Sequence, residues 1–533
     1  MDMEHKPQET SAQSQWPEPY YEVKPLFELK RKDITFAICA VIVCVLASVY
    51  GIFGGFALGY TVTSTCVLCL FAAYFWKRSK VSAFSVICGV LTLANAAVFL
   101  CTTNGSVRFF GVLVGFFLSL ACLDGLVSDG VRGNRGTMHL FYKAAATMAH
   151  IDVSIKSLFS DRNGNKKTAG KVLLGLLCAA PVLFVVVPLL RSSDEAFRGM
   201  MDRMFENAGN TVVKVVFGVA MSVFAVSYGF CLKTGRTAQA KESKFAGIEN
   251  VYIVSFLSAI SLCYLLYLFS QLAYFFSAFK GFLPNGGITY AQYARKGFFE
   301  MCTIAVINLV LVFIAMLLSK KQEGKACLPI KLLATFISMF TLIIISTAIS
   351  KMVLYINAYG MTVLRLTTSA FMVFLAVVFI SVILRIYIRK INIVKTALIT
   401  AGCVVLLLGT VNVNRVCAWY NYDSYMIGRL KSVDVEAMYN LGDEGIPYVV
   451  KLAADKDPTV AKSAKKYLRN ACLYDYFKNV KSTEGFTLDQ LQKNERDSGV
   501  FYFSIPRKAA YDSLYDFLKQ NPDFSEYCKL KMG

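Results

Sequence analysis

From Phe36 to Val411 the chain alternates long apolar runs with short polar gaps, and Lys and Arg gather in every second gap. The stretch from Ile34 to Trp76 contains no Asp, Glu, Lys or Arg. As one helix it would measure about 65 Å, twice the hydrocarbon thickness of a bilayer. It must therefore cross, reverse and cross again, and Gly54-Gly55 suits the reversal. The same pattern predicts eleven spans, at roughly 34–52, 57–76, 81–101, 108–128, 171–190, 211–231, 250–274, 297–318, 327–350, 366–386 and 393–411. The expected fold class is all-α, a polytopic transmembrane helix bundle followed by a small α-rich C-terminal soluble domain. Its parts are a cytoplasmic segment at 1–33, the bundle at 34–411 with a basic cytoplasmic loop at 129–170, and an extracytoplasmic helical domain at 412–533.

Charge fixes the expected orientation. The net charge is +21, yet from Asn412 onward there are 18 Lys and Arg against 16 Asp and Glu, so the surplus belongs to the membrane half. The basic groups flank apolar spans, which points to topology and anionic lipid rather than nucleic acid. Lys30-Arg31-Lys32, Lys77/Arg78/Lys80, the stretch from Arg132 to Lys171, Lys233/Arg236, Lys320/Lys321 and Arg385/Arg389/Lys390 would all face the cytoplasm. Residues 102–107 hold no charge, and 191–210 balances its Arg residues with Asp194, Glu195, Asp202 and Glu206. The positive-inside rule then places the N-terminus inside and the C-terminal domain outside, in a bacterial cytoplasmic membrane. No signal peptide precedes the first span, which reads as a signal-anchor. Residues 137–160 read as an amphipathic surface helix or an ordinary loop helix. The Gly51/Gly55/Gly59 and Gly111/Gly115 spacings read as close helix packing.

Beyond Asn412 the apolar runs shorten and charges recur every few residues. Residues 434–478 predict two or three short helices, with Asp457-Pro458 opening one of them and a texture like a single HEAT-type unit. "SIPRKAAYDSLYDFLKQNPDF" predicts a further helix.

Candidate chemistry is sparse. Three histidines argue against a histidine metal site, there is no HExxH, GxSxG or Walker loop, and no cofactor is expected. Cys66 and Cys69 have CxxC spacing but lie mid-span, where thiols pack as small hydrophobes. An outer polar cluster is expected from Tyr290, Tyr293, Arg295, Glu300, Lys351, Tyr355, Tyr359 and Arg365, with Glu300 pairing with Arg365 or Lys351. Lys351 alone reads better as an interface residue reaching water. Within the spans, Asp124 reads as interfacial before proton-coupling, and Asn308 is the second polar candidate.

Four segments, "ITYAQYARKGFFEM", "LYINAYGMTVLRLTTSAFM", "LLRSSDEAF" and "VNVNRVCAWYNYDSY", resemble motifs of a bacterial multi-pass family, the domain-of-unknown-function family numbered 4173, akin to that numbered 4153. The similarity covers roughly residues 170–460. It implies a multi-span bacterial membrane protein and carries over no substrate or catalytic residue. The expectation is a cell-envelope protein that senses or scaffolds through its outer loops and C-terminal domain, with a possible envelope protein as partner. The alternative is a transporter with an outward-facing polar vestibule. An enzyme ranks third, because no nucleophile or acid–base pair stands out.

Overall fold

The computed structural model describes residues 27–76, 82–127, 209–234, 248–280, 298–320, 327–388, 390–472 and 499–524, with residues 147–148, 151–154, 186, 190, 192–195, 488, 491–492 and 495 between them. Among the described residues there are helices and turns and no strand, only one isolated bridge between Ile248 and Ser319.

Among the described residues ten helices are long and apolar enough to cross a bilayer. They are α1 (Arg31–Leu46, continued by a π-helical turn Ala47–Ile52), α2 (Leu58–Phe75), α3 (Ala83–Cys101), α4 (Gly105–Val127), α5 (Gly209–Thr234), α6 (Asn250–Lys280), α7 (Phe298–Leu318), α8 (Leu328–Tyr359), α9 (Val363–Tyr387) and α10 (Ile393–Val411). Local chemistry explains several starts. Ser82, Thr362 and Asn392 each accept a backbone N–H from the first turn of α3, α9 and α10. The expected span at 171–190 lies outside the described residues, apart from positions 186 and 190. Most of 137–160 does too, although Thr147 and Ser154 are buried against Ser227 of α5.

Among the described spans the expected boundaries hold to within three residues except for α6, which runs six residues past 274, and α8. Helix α8 runs nine residues past the expected stop at 350, so Lys351 and Tyr355 lie on a helix and not in a loop. A single Lys does not break a helix. Gly360 does, at φ +79°. Its 32 residues span about 48 Å, more than the thickness of the hydrocarbon core.

The helices pack as two groups. Helices α1 to α5 share a core around Phe36, Phe71, Phe75, Leu118 and Phe230. Helices α6 to α9 share a second around Ile337, Phe340, Phe379 and Leu257. Helix α10 packs against α3, α4 and α9 and joins the groups. Gly59 allows α2 to close on the end of α1, since a Cβ there would stand 2.0 Å from the Tyr50 carbonyl oxygen. Gly115 meets nothing within 4 Å, so the packing expected of it does not occur among the described residues. Ile38, Val90, Phe109 and Leu266 are exposed on the bundle flank, the surface that lipid covers.

Beyond α10 come α11 (Val413–Met426), α12 (Val435–Tyr439), a 3-10 turn (Gly442–Glu444), α13 (Ile446–Leu452), α14 (Pro458–Asn470), a second 3-10 turn (Val500–Tyr502) and α15 (Ile505–Gln520). Asp457 caps α14 and Pro458 occupies its first turn. These helices enclose their own core of Val449, Leu452, Leu468, Cys472 and Leu514. They sit at the end of the bundle remote from Arg31. Phe501 packs on Tyr50 near the end of α1, whereas Asp33 at its start bonds Tyr74 and Lys233.

Candidate functional site

The bundle and the C-terminal helices meet at a knot of buried polar groups. Its first component is the α3–α4 hairpin. Thr102 ends α3 in an extended conformation, and its Oγ1 accepts the Asn104 N–H at 3.1 Å. Asn104 Oδ1 accepts the Val107 N–H at 3.0 Å, which starts α4. Arg108 then donates to the carbonyls of Thr102 and Gly55, each at 2.9 Å, and fastens this hairpin to the α1–α2 loop.

The second component is the joint between α10 and α11. Asn412 adopts the left-handed conformation at φ 58°, which Asn tolerates better than most residues. Its Oδ1 accepts the Arg415 N–H at 3.2 Å, so one residue ends α10 and caps α11. Its Nδ2 donates to the Cys101 carbonyl at 2.6 Å. Two residues on, Asn414 accepts from Asn104 Nδ2 at 2.7 Å and donates to the Leu441 carbonyl at 2.8 Å.

Glu444 closes the knot. It ends the 3-10 turn that Gly442 opens at φ 72°, and its side chain is carried inward to 4% exposure. Oε1 accepts the Thr103 N–H at 2.7 Å and Asn412 Nδ2 at 3.2 Å. Oε2 accepts the Thr103 hydroxyl and, more weakly, Asn414 Nδ2 at 3.5 Å. A buried carboxylate is costly unless its lone pairs are filled, and here neutral donors from two segments, the α3–α4 hairpin and the α10–α11 joint, fill them. A carboxylate so engaged acts as a clamp between the segments that it touches. Asn421 makes a second clamp, accepting the Met361 N–H at 2.7 Å and donating to the Met361 carbonyl at 2.8 Å across the α8–α9 turn. Beside Glu444 lies a cavity of about 320 Å³, lined among others by Arg415, Asp443, Lys451 and Ser513. Cys417 lies buried on α11, and that burial pushes its thiol up to about 12.

Of the expected outer cluster, the structure brings together Tyr355, Tyr359 and Arg365. The Arg365 guanidinium lies 4.0 Å above the Tyr355 ring, whose own neighbour is Tyr359 at 5.3 Å. Arg365 also donates to the carbonyls of Tyr359 and Gly360 at the end of α8. Helix C-terminal carbonyls carry partial negative charge, so they replace the carboxylate partner expected for it. Glu300 is exposed in the first turn of α7, and no Glu300–Arg365 ion pair occurs among the described residues. Lys351 is buried on α8, with 7% of its surface exposed, where a residue reaching into water was expected. Tyr290, Tyr293 and Arg295 lie outside the described residues. Asp124 is buried at 1% exposure, three residues before the end of α4. Asn308, fully buried, accepts from the Tyr264 hydroxyl at 2.6 Å and donates to Thr341 at 2.9 Å, tying α6, α7 and α8 together.

Sequence reasoning missed Thr103, Asn104, Asn412, Asn414, Asn421 and Glu444. The one local signal was a pair of Asn residues directly after an apolar span. Among the described residues no group of three or more His, Cys, Asp or Glu is placed to hold a metal ion. Against known proteins, a family model described as a domain of unknown function, DUF4153, matches residues 62–452, from the first turns of α2 to the end of α13 and across the whole knot. No curated protein and no solved structure matches the chain.

Proposed function

The chain belongs to the DUF4153 family, and from that premise we propose that it is a bacterial cell-envelope protein that senses or scaffolds through its C-terminal helices and outer loops. The observation that carries this reading is the Glu444 knot. It makes the C-terminal helices a continuation of the α3–α4 hairpin and α10, so a load or ligand on one side is felt by the other. Packed polar networks with defined partners are the kind of contact through which two regions can be coupled.

The proposed topology follows from which ends meet. Val127 ends α4 at the Arg31 end of the bundle, while Lys214, near the start of α5, accepts from Ser48 at the other end. An odd number of crossings between them satisfies both, and the apolar run at 171–190 supplies one, for eleven in all. Lys32, Lys233, Lys320, Lys331 and Lys395 belong to the Arg31 end, which we assign to the cytoplasm and to anionic lipid. The C-terminal helices then face outward.

The transporter reading draws on Asn308, because polar groups inside a bundle often line a path. Its hydrogen bonds to Tyr264 and Thr341 serve packing equally well, so the sensing or scaffolding reading is preferred. Photo-cross-linking in intact cells from a probe at exposed Lys465 tests it. A discrete adduct that is lost in Glu444→Ala, at equal membrane content, is expected. No adduct, or an adduct indifferent to Glu444→Ala, would count against a coupled outer domain. Uptake that depends on Asn308 and not on Glu444 would favour transport.

A further inference from the structure

Five apolar side chains stand out of the C-terminal helices in one short run. Val500, Phe501, Tyr502, Phe503 and Ile505 are all exposed, Val500 to 74%. Contiguous apolar surface of this kind marks a contact. The turn is held against the bundle: the Leu58 N–H donates to the Phe503 carbonyl at 3.2 Å, and the Phe501 and Tyr50 rings lie 4.6 Å apart. Tyr50 belongs to the span that ends at Ile52, and Leu58 opens the next. The turn therefore lies at the depth where two spans leave the hydrocarbon.

At that depth a side chain that faces no protein faces lipid. The composition suits the place, since aromatic rings favour the boundary between hydrocarbon and headgroups. Arg507 and Lys508, in the first turn of α15, line with Glu495 a cavity of about 470 Å³ behind the aromatic residues. Tyr50, which packs on Phe501, and, one turn along α2, Val62 are also exposed, so apolar exposure extends from the turn onto the two spans that it touches.

We propose that the turn Val500–Tyr502, with Phe503 and Ile505, is a membrane-docking wedge whose occupant is phospholipid of the leaflet on its own side. The C-terminal helices are then held twice, by the Glu444 knot to the bundle and by the wedge to the bilayer. Lipid is favoured over a second copy of the chain because the apolar exposure extends onto the two spans and lies at their level.

The test uses the full chain in nanodiscs of phosphatidylcholine, with or without bromine on the acyl chains close to the glycerol. Val500→Trp supplies the probe, read as the difference from the parent, whose own tryptophans are Trp16, Trp76 and Trp419. Lys465→Trp, exposed on α14, is the control. The added emission at 500 is expected to be blue-shifted and to fall by about half or more in brominated lipid, while that at 465 is not quenched. Quenching at 500 no greater than at 465 overturns the proposal. Red-shifted emission would then mean that water covers the patch, and blue-shifted emission that protein does. Ile505→Trp repeats the measurement if Val500→Trp fails to assemble.

Discussion

Asp33 and Glu444 are buried carboxylates at opposite ends of the bundle, and they are solvated in opposite ways. Asp33, at 1% exposure, accepts from the Lys233 ammonium, the Tyr74 hydroxyl at 2.6 Å and the Lys30 N–H at 2.9 Å. Lys233 in turn lies 4.1 Å from the Phe27 ring centroid. This is a charge met by a charge, and it joins α1 to α5 inside one packed group. Glu444 is met by hydroxyl, amide and backbone donors, and it joins two groups with separate cores. An ion pair loses heavily when one partner goes, because the other is left uncompensated. A net of neutral donors gives way in smaller steps, each worth one hydrogen bond. The first arrangement suits a permanent staple and the second a joint.

The largest effect should come from breaking the staple. Asp33→Ala leaves Lys233, 19% exposed, facing apolar rings, and is expected to destabilise the bundle by about 3–5 kcal/mol. Adding Lys233→Met should return most of that loss. Unfolding in a graded denaturing detergent reads both, and a double variant no more stable than Asp33→Ala would mean that the two residues do not act as a pair.

Next comes the joint. Glu444→Ala strands donors of Thr103, Asn412 and Asn414, and is expected to cost about 2–3 kcal/mol. The loss should be confined to the joint, as faster hydrogen exchange over 413–452 with the amides of α6 to α9 unchanged. Glu444→Gln should cost less than half as much, because Thr103 Oγ1 can rotate to accept from the new amide. Equal exchange in α6 to α9 and in the joint would show one cooperative unit and erase the contrast.

The staple and the joint differ also in how far they could be read from the chain. The spans were legible because a bilayer imposes length and apolarity on every crossing, and ten helices among the described residues meet both conditions. The end of α8 was not, because the apolar run stops at Lys351 whereas the helix runs on to Gly360, nine residues further. Lys233 was read only as positive-inside charge, while 200 positions separate it from Asp33. The joint was less legible still. Thr103 and Glu444 are 341 residues apart, and no periodicity links a neutral hydroxyl to a distant carboxylate. Local patterns report what a helix needs, and these contacts are set by which helices become neighbours.

Cys417 reports the state of the joint without disturbing it. Burial raises its thiol from 9.0 to about 12, with a smaller opposing pull from Arg365. In the native protein it should resist maleimide at pH 7 to 8, and in Glu444→Ala it should be modified several-fold faster, as followed by peptide mass mapping. The native thiol keeps its proton where the unfolded one releases it. Its contribution to stability is therefore complete below pH 9.0 and fades as pH rises toward 12. Equal labelling in parent and variant would mean that the joint stays shut without its carboxylate.

The smallest effect belongs to the exposed charges beside the wedge. Lys508 lies 2.8 Å from Glu495 and 3.0 Å from Asp512, and these hydrogen bonds, Glu495 first, hold its ammonium above the ordinary 10.5. Its side chain is 47% exposed, so water and salt screen both pairs. Lys508→Met is expected to cost about 0.2–1 kcal/mol, and most of that difference should vanish in molar salt. A raised lysine pKa contributes in full below the unfolded value and is lost as pH climbs through the folded one, so the difference should persist at pH 9 and shrink above 10.5. Thermal unfolding of the C-terminal helices at low and high salt measures it. A loss as large as that of Glu444→Ala, or one indifferent to salt, would mean that these surface pairs hold the C-terminal helices together as firmly as the buried knot holds them to the bundle.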